Sequence, residues 1–401
     1  MKILVPLFCP PGGTWGSLTR VLAVGHAATA RGHQIAFCAA GPLGERLTSL
    51  GYRVFPMPQA TYLGLPSAIS KLIEARSQES TPPVKPGKSF GSIWLVLFFT
   101  GSGNLRFLKK LVREQLKAVE AFKPDLIFTE GDLGAMLLAQ ITGLPFASTY
   151  ASVFQVGVGS FPWKRLRSSV ASVLRDYGKP PVDPHELIMN RQTLKLIPSV
   201  PEMEEVEAGR DDVVFTGSLY RSFRAASDAA FEPEPGKRYV FVYVGTGSMT
   251  MTSLRKVLPV VFPEGAGPMC LVGAQSIQGE ERLGNVVLRP FWDAETLLPH
   301  CDWTVCHGGH NTIIQSLSHG VPLLVFPGPI FERRFNAQMV HKGGAGRWGE
   351  VPDFRPDWLA EALRAREGCA ERAKVLGKTI ASLGGADTAI CAMERWAGKA
   401  S

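Results

Sequence analysis

The chain has 401 residues, 45% of them hydrophobic and 19% charged, with a formal net charge of +8. That length accommodates two domains of ordinary size, and that balance excludes a disordered chain. The positive charge suits anionic ligands or an acidic membrane surface, but no Lys/Arg block carries interleaved aromatic residues, so a nucleic-acid partner is not expected.

Residues 2–8 read as an apolar strand that runs into a Pro/Gly loop at 10–16. A helical stretch from Ser17 to about Ala30 closes at Arg31-Gly32-His33, with Gly at the stop. Strands at 34–39 and 52–55 follow. The alternation then breaks: residues 60–102 carry Pro82, Pro83, Pro86 and several glycines, the mark of an insertion that carries specificity. Its apolar run 93–99 is too short to span a bilayer. The run is core or lines an apolar pocket, and membrane contact is at most peripheral. Residues 108–122 have helical apolar spacing, 126–129 a strand pattern, 134–142 a helix stopped by Gly143, and 145–148 a strand pattern. This order predicts a parallel sheet with helices on both faces.

The run Glu232-Pro233-Glu234-Pro235-Gly236 signals a linker. Beyond it, 238–244, 270–272, 286–289, 303–306 and 322–326 form a second strand series, and a last helix begins near Ala386. The fold class is α/β, with two doubly wound Rossmann-like domains facing across a cleft. The expected division is residues 1–217, a linker at 218–236, residues 237–385, and a C-terminal helix at 386–401 packing back on the N-terminal domain. Ligands of such sheets sit beyond the carboxyl ends of the strands.

Seven dispersed cysteines with no Cys-x-x-Cys spacing fit a reducing compartment and argue against a metal cluster. Met1-Lys2 leads straight into the first strand, so no signal peptide is visible and a cytoplasmic location is expected. The oligomeric state stays open, a homodimer included.

The strand ends of the second half carry the chemistry. Val305-Cys306-His307-Gly308-Gly309-His310-Asn311-Thr312 reads as strand, Gly-rich turn and helix start. Amides at a helix N-terminus, with the positive end of its dipole, form a site for a diphosphate, and His307 can donate to the same anion. Gly245-Thr246-Gly247-Ser248 offers hydroxyls to phosphate oxygens, Phe291 or Trp292 a ring for a base, and Glu332-Arg333 a carboxylate and guanidinium for sugar hydroxyls.

These motifs resemble the GT-B glycosyltransferases that use nucleotide sugars to modify lipophilic acceptors, including antibiotic and plant metabolite enzymes. The resemblance covers nearly the whole chain. It is most specific at His307-Gly308-Gly309-x-Asn311-Thr312, Gly320-Val321-Pro322 and Asn336-Ala337, and weaker at Gly13-Thr14-Trp15-Gly16-Ser17, Arg31-Gly32-His33 and Pro124-Asp125-Leu126. It implies a UDP- or dTDP-sugar bound by the C-terminal domain as co-substrate, with no other cofactor; no Asp-x-Asp cation site is apparent near these strand ends, so no metal is expected. The implied donor site comprises Gly13, Thr246, Gly247, Ser248, Phe291, Trp292, His307, Gly309, His310, Asn311, Thr312, Glu332 and Arg333. A small, mostly apolar acceptor is expected on the N-terminal domain, near Tyr62, Trp94 and Phe98.

The departures are informative. Glu332-Arg333 stands where the family usually has Asp-Gln, Gln315 where it has Glu, and Asp293-Ala294 where it has Pro-Gln. Ser17 stands where the family places its His or Asp base, and a serine hydroxyl is no base near neutral pH without activation. Glu130 aligns with the family's supporting acid, and Asp132 lies two residues on. Either carboxylate acts as base, or an acidic acceptor needs little help, or activity is lost. In the last case the chain is a nucleotide-sugar-binding homologue or the activator of a partner enzyme. His26 lies mid-helix and is a weaker candidate base. An epimerase on the same scaffold would need acids on both sides of the sugar, and the sequence offers only Glu130, Asp132 and Glu332.

Overall fold

The computed structural model describes all residues except 12–14, 78–87, 90, 208, 222–230, 246–248 and 401. Two seven-stranded sheets organise it. The first contains β1 (Lys2–Pro6), β2 (Gln34–Ala39), β3 (Arg53–Pro56), β4 (Leu126–Thr129), β5 (Phe146–Thr149), β6 (Thr193–Ile197) and β7 (Val213–Phe215), in the order β3-β2-β1-β4-β5-β6-β7. The second contains β8 (Tyr239–Tyr243), β9 (Met269–Gly273), β10 (Glu281–Leu283), β11 (Val286–Arg289), β12 (Cys301–Cys306), β13 (Leu323–Val325) and β14 (Gly346–Trp348), in the order β10-β11-β9-β8-β12-β13-β14. Every pairing is parallel except β10 with β11.

Parallel strands need crossover helices, which cover both faces, so central strands are apolar throughout rather than alternating. Ile3, Leu4 and Val5 of β1 are all fully buried, as are Leu323, Leu324 and Val325 of β13. Strand order reverses between β1 and β4 in one sheet and between β8 and β12 in the other. Loops that leave neighbouring strands in opposite directions open a crevice at such a point. Residues 7–11 follow β1, residues 130–132 follow β4 and residues 307–309 follow β12, so these are described segments the topology presents to a ligand.

The helix Gly385–Ala400 crosses back from the second domain. Ala389, Ile390, Ala392 and Met393 join Ile3, Val5, Leu18 and Val21 in one apolar cluster of the first domain. Its Glu394 accepts from Arg31 Nη2 at 3.0 Å and pairs with His33 Nε2 at 2.7 Å. In the other direction, Val200 and Met203 sit in a cluster with Ile313, Leu317 and Val340 of the second domain.

The insertion contains helices. Ser67–Ser77 and Ile93–Phe99 are helical, the latter capped by Ser92, whose side chain accepts from Leu95 N at 3.2 Å. No described helix is long and apolar enough to cross a membrane.

Candidate active site

The turn after β12 is held from several sides. Gly308 has φ +88°, a left-handed conformation that favours glycine, and a Cβ there would lie 2.9 Å from Arg333 O. Asn336 Nδ2 donates to Gly308 O at 2.9 Å and fixes the turn to the helix Phe331–Lys342. Gly309 then begins the helix His310–Ser318, and no side chain caps it. The first amides of that helix therefore have no side-chain acceptor at the N-cap. A glycine N-cap leaves room above them for an anion.

His307 is 8% exposed, and its pKa is pushed down to about 3 by burial and by the charge of Arg333. The same happens to His310, by burial and by the charge of Arg20. Both rings are neutral near pH 7, and the Nδ1 atom of each is buried with no hydrogen-bond partner. Gly245 and Gly309 make room for His307: a Cβ at either would lie 2.3 Å or 2.7 Å from the imidazole.

The first domain faces this loop with Arg20 and Glu130. Glu130 extends β4 beside Leu7, with which it forms an isolated parallel bridge. Arg20 Nε donates to Glu130 Oε1 at 2.5 Å, Nη2 pairs with the same oxygen, and Oε2 is buried with no partner. Arg20 Nη1 donates to Asn311 Oδ1 in the second domain. The Asn311 amide in turn donates to Gly16 O at 3.1 Å and to Thr19 Oγ1 at 2.9 Å. The Asn311 side chain is thus engaged by the first domain rather than held open for a phosphate. Ser17 lies on the same helix face as Arg20, one turn earlier. Sequence reasoning missed Arg20 because its partners are 110 and 291 residues away.

Several candidate residues have other roles in the structure. Asp132 caps the helix Leu133–Thr142, accepting from Gly134 N and Ala135 N at 3.2 Å each, and Gln115 Nε2 donates to it at 2.7 Å. Burial raises its pKa to about 6 against these contacts. Its oxygens are occupied, so it is a capping residue and not the better base. Trp292 is a core side chain: it is 6% exposed, its Nε1 donates to Val272 O at 3.0 Å, and its ring packs on Phe231. The neighbouring Phe291 is partly exposed. Trp94 and Tyr62 are also buried, at 3% and 9%, which leaves Phe98 as the partly open member of the three aromatic residues assigned to the acceptor. Phe98 packs edge-on against Phe161, which is 67% exposed.

Glu332 is exposed at the start of the helix Phe331–Lys342, beside the partly buried Arg333. Thr312 lies in the first turn of the helix that His310 begins. Gln315 donates to Glu295 Oε1 at 2.5 Å. His26 is exposed on the helix Trp15–Ala30, and His33 pairs with Glu394. Gly13, Thr246, Gly247 and Ser248 lie outside the described residues. Among the described residues no group of three His, Cys, Asp or Glu side chains is arranged to hold a metal ion.

Comparison with known proteins bears on the fold and the relatives of the chain. Residues 274–375 match the family described as Erythromycin biosynthesis protein CIII-like, C-terminal domain. An uncharacterized glycosyltransferase of Methanosarcina acetivorans is 26% identical over 91% of this chain and 89% of its own length. The 3-alpha-mycarosylerythronolide B desosaminyl transferase of Saccharopolyspora erythraea is 26% identical over 63% of each chain. Among solved structures, the glycotransferase of kitacinnamycin covers 98% of both chains with a TM-score of 0.75 at 19% identity. The glycosyltransferase VinC in complex with dTDP covers both chains in full with a TM-score of 0.68, also at 19% identity. The fold is therefore the GT-B fold of solved natural-product glycosyltransferases, its C-terminal region is similar to the EryCIII-like C-terminal domain, and the chain is similar over most of its length to a protein named as a glycosyltransferase.

Proposed function

We propose that the protein transfers a sugar from a dTDP- or UDP-linked donor to a hydroxyl of a small, mostly apolar acceptor, with inversion and without a metal ion. The observation that carries this reading is the set of buried, unpartnered polar atoms at the strand ends of both domains: Glu130 Oε2, His307 Nδ1 and His310 Nδ1. Buried polar atoms without partners cost free energy, and these three stand on the segments that directly follow β4 and β12, where the topology leaves a place for a polar ligand. That VinC is solved with dTDP supports a nucleoside diphosphate as part of that ligand.

In this reading the diphosphate lies on the amides that open the helix His310–Ser318, with His307 donating to it. An imidazole kept neutral by burial gains a proton readily once an anion sits beside it. Arg333 adds positive charge on the same side. The acceptor oxygen attacks the anomeric carbon as the bond to the diphosphate oxygen breaks, and the acceptor proton passes to Glu130 Oε2. The nucleoside diphosphate leaves with the bonding electron pair. The acceptor would lie along the helix Ile93–Phe99, where Phe98 and Phe161 make an apolar strip. This helix is next to the donor side, since a Cβ on Gly91 would be 3.2 Å from Phe331.

The test is purified protein incubated with dTDP- and UDP-sugars and a panel of phenolic and aliphatic aglycones, with products read by mass spectrometry. A glycosylated product that falls by about 10²-fold or more in Glu130→Gln, with dTDP affinity kept, supports the proposal. Saturable dTDP binding without transfer to any acceptor and without donor hydrolysis would favour a non-catalytic binding protein.

A further inference from the structure

We propose that Arg20 is a positioning residue that ties the base to the donor loop, so that Glu130 is aimed for proton transfer only while the two domains are closed on each other. The inference rests on the reading of Glu130 as the base. Its evidence is geometric and independent of any ligand. One guanidinium touches a carboxylate of the first domain and an amide of the second: Nε and Nη2 hold Glu130 Oε1, while Nη1 holds Asn311 Oδ1. The planar fork of arginine can make both contacts at once, which a lysine ammonium does with far less directional control.

The consequences for each partner follow from burial. The side chain of Glu130 is 7% exposed, and Arg20 is the only residue that an ion pair or side-chain hydrogen bond joins to it among the described residues. A buried carboxylate that loses its cation is left uncompensated and turns away from its aimed position, which removes a base. With Oε1 fixed, Oε2 is the oxygen left for an acceptor hydroxyl. On the other side, Asn311 belongs to the first turn of the helix whose amides face the proposed diphosphate. Three hydrogen bonds, from Arg20, to Gly16 and to Thr19, hold its side chain against the first domain. Cleft closure and carboxylate orientation are therefore two ends of one linkage.

A structural ion pair would only lower stability when cut. A positioning role predicts more: transfer fails while nucleotide binding survives. The experiment compares wild-type protein, Arg20→Gln, Asn311→Ala and the double variant, all full-length. It measures transfer kcat, donor KM, dTDP affinity by calorimetry, and donor hydrolysis without acceptor. Arg20→Gln should lose about 10²-fold in kcat with dTDP affinity changed less than about threefold, and millimolar guanidinium should restore part of the loss. The double variant should be no worse than Arg20→Gln alone, because either cut opens the same linkage. Arg20→Lys keeps the charge and tests the fork if the glutamine variant does not fold; it should lose at least about tenfold in kcat.

The proposal is overturned if Arg20→Gln keeps kcat within about threefold, if the two single losses multiply in the double variant, or if dTDP affinity falls in parallel with kcat. Amide hydrogen exchange gives a readout that needs no turnover: Arg20→Gln should speed exchange both in the helix Trp15–Ala30 and at 307–312. Absence of transfer by wild-type protein would overturn the glycosyltransfer reading instead, whereas an active wild type with an unaffected Arg20→Gln overturns this inference alone.

Discussion

Gly245 lies so close to His307 that a Cβ added to it would stand 2.3 Å from the imidazole Cε1 and 2.5 Å from Nδ1. Gly245 follows the strand β8, and its φ of +55° is itself a conformation that disfavours other residues. Gly245→Ala should push the ring out of place and weaken dTDP binding about tenfold or more by calorimetry. Gly279→Ala is the control, because Gly279 has φ +76° and no atom lies within 4 Å of where its Cβ would stand, so it carries backbone strain without a clash. Equal dTDP affinity in Gly245→Ala and wild type would remove His307 from the donor site.

Asp132 separates a cap from a base. Asp132→Ala should cost about 1 kcal/mol or more of unfolding free energy, since the amides of Gly134 and Ala135 lose their acceptor. Asp132→Asn keeps an oxygen for the cap and should keep transfer within a fewfold. Chemical denaturation and initial rates measure the two effects. Full loss of transfer in a stably folded Asp132→Asn would return the base to Asp132.

Acid should act through the two histidines. Their folded pKa values lie at about 3, below the ordinary 6.5, so the unfolded chain binds more protons between those limits. Stability is therefore present above about pH 6.5 and falls as pH drops toward 3, by at most about 1.4 kcal/mol per pH unit for each ring. Asp132, raised to about 6 from 3.8, works the other way between those values, because there the folded state holds the extra proton. From pH 7.5 to 6 the histidines dominate, with Asp132 offsetting part of their effect as pH nears 6. Denaturation of wild type and His310→Asn at pH 7.5, 6 and 5 should show a smaller acid loss in the variant.

Phe291 and Trp292 should divide into two phenotypes. Trp292→Phe leaves Val272 O without its indole donor, which costs about 1–3 kcal/mol of stability, and dTDP affinity should stay within about threefold. Phe291→Ala should weaken dTDP binding by the worth of one stacked ring, about 1–3 kcal/mol, with little change in melting. Thermal melts and calorimetry on both variants decide, and reversed phenotypes would exchange the two roles.

Legibility in the sequence followed the range of the interactions. The central strands of both sheets were visible because doubly buried strands are continuous apolar runs, as at Ile3-Leu4-Val5, whereas β6, with Lys195 at its middle, and the short strands β7, β10 and β14 were not read. The turn at His307 was visible because strand, glycines and helix start are contiguous. The helix Ile93–Phe99 reads as an insertion by composition, although Ser92 three residues before Leu95 is a capping signal of the kind that marks a helix start. Asp132 before the helix Leu133–Thr142 carried the same signal, in competition with its likeness to an active-site acid. Arg20 was silent. Nothing local distinguishes it from other arginines on a helix, and its meaning comes from partners brought near by the packing of one domain on the other.

The helix Gly385–Ala400 gives the molecule a temporal order as well as a shape. Residues that leave the ribosome after the whole second sheet supply part of the apolar cover for the first one. Until they arrive, Leu18, Val21 and their neighbours lack the side chains of Ile390 and Met393. The earlier half must therefore wait, incompletely covered, while the later half is synthesised, and the two mature as one cooperative unit rather than as independent beads on a string.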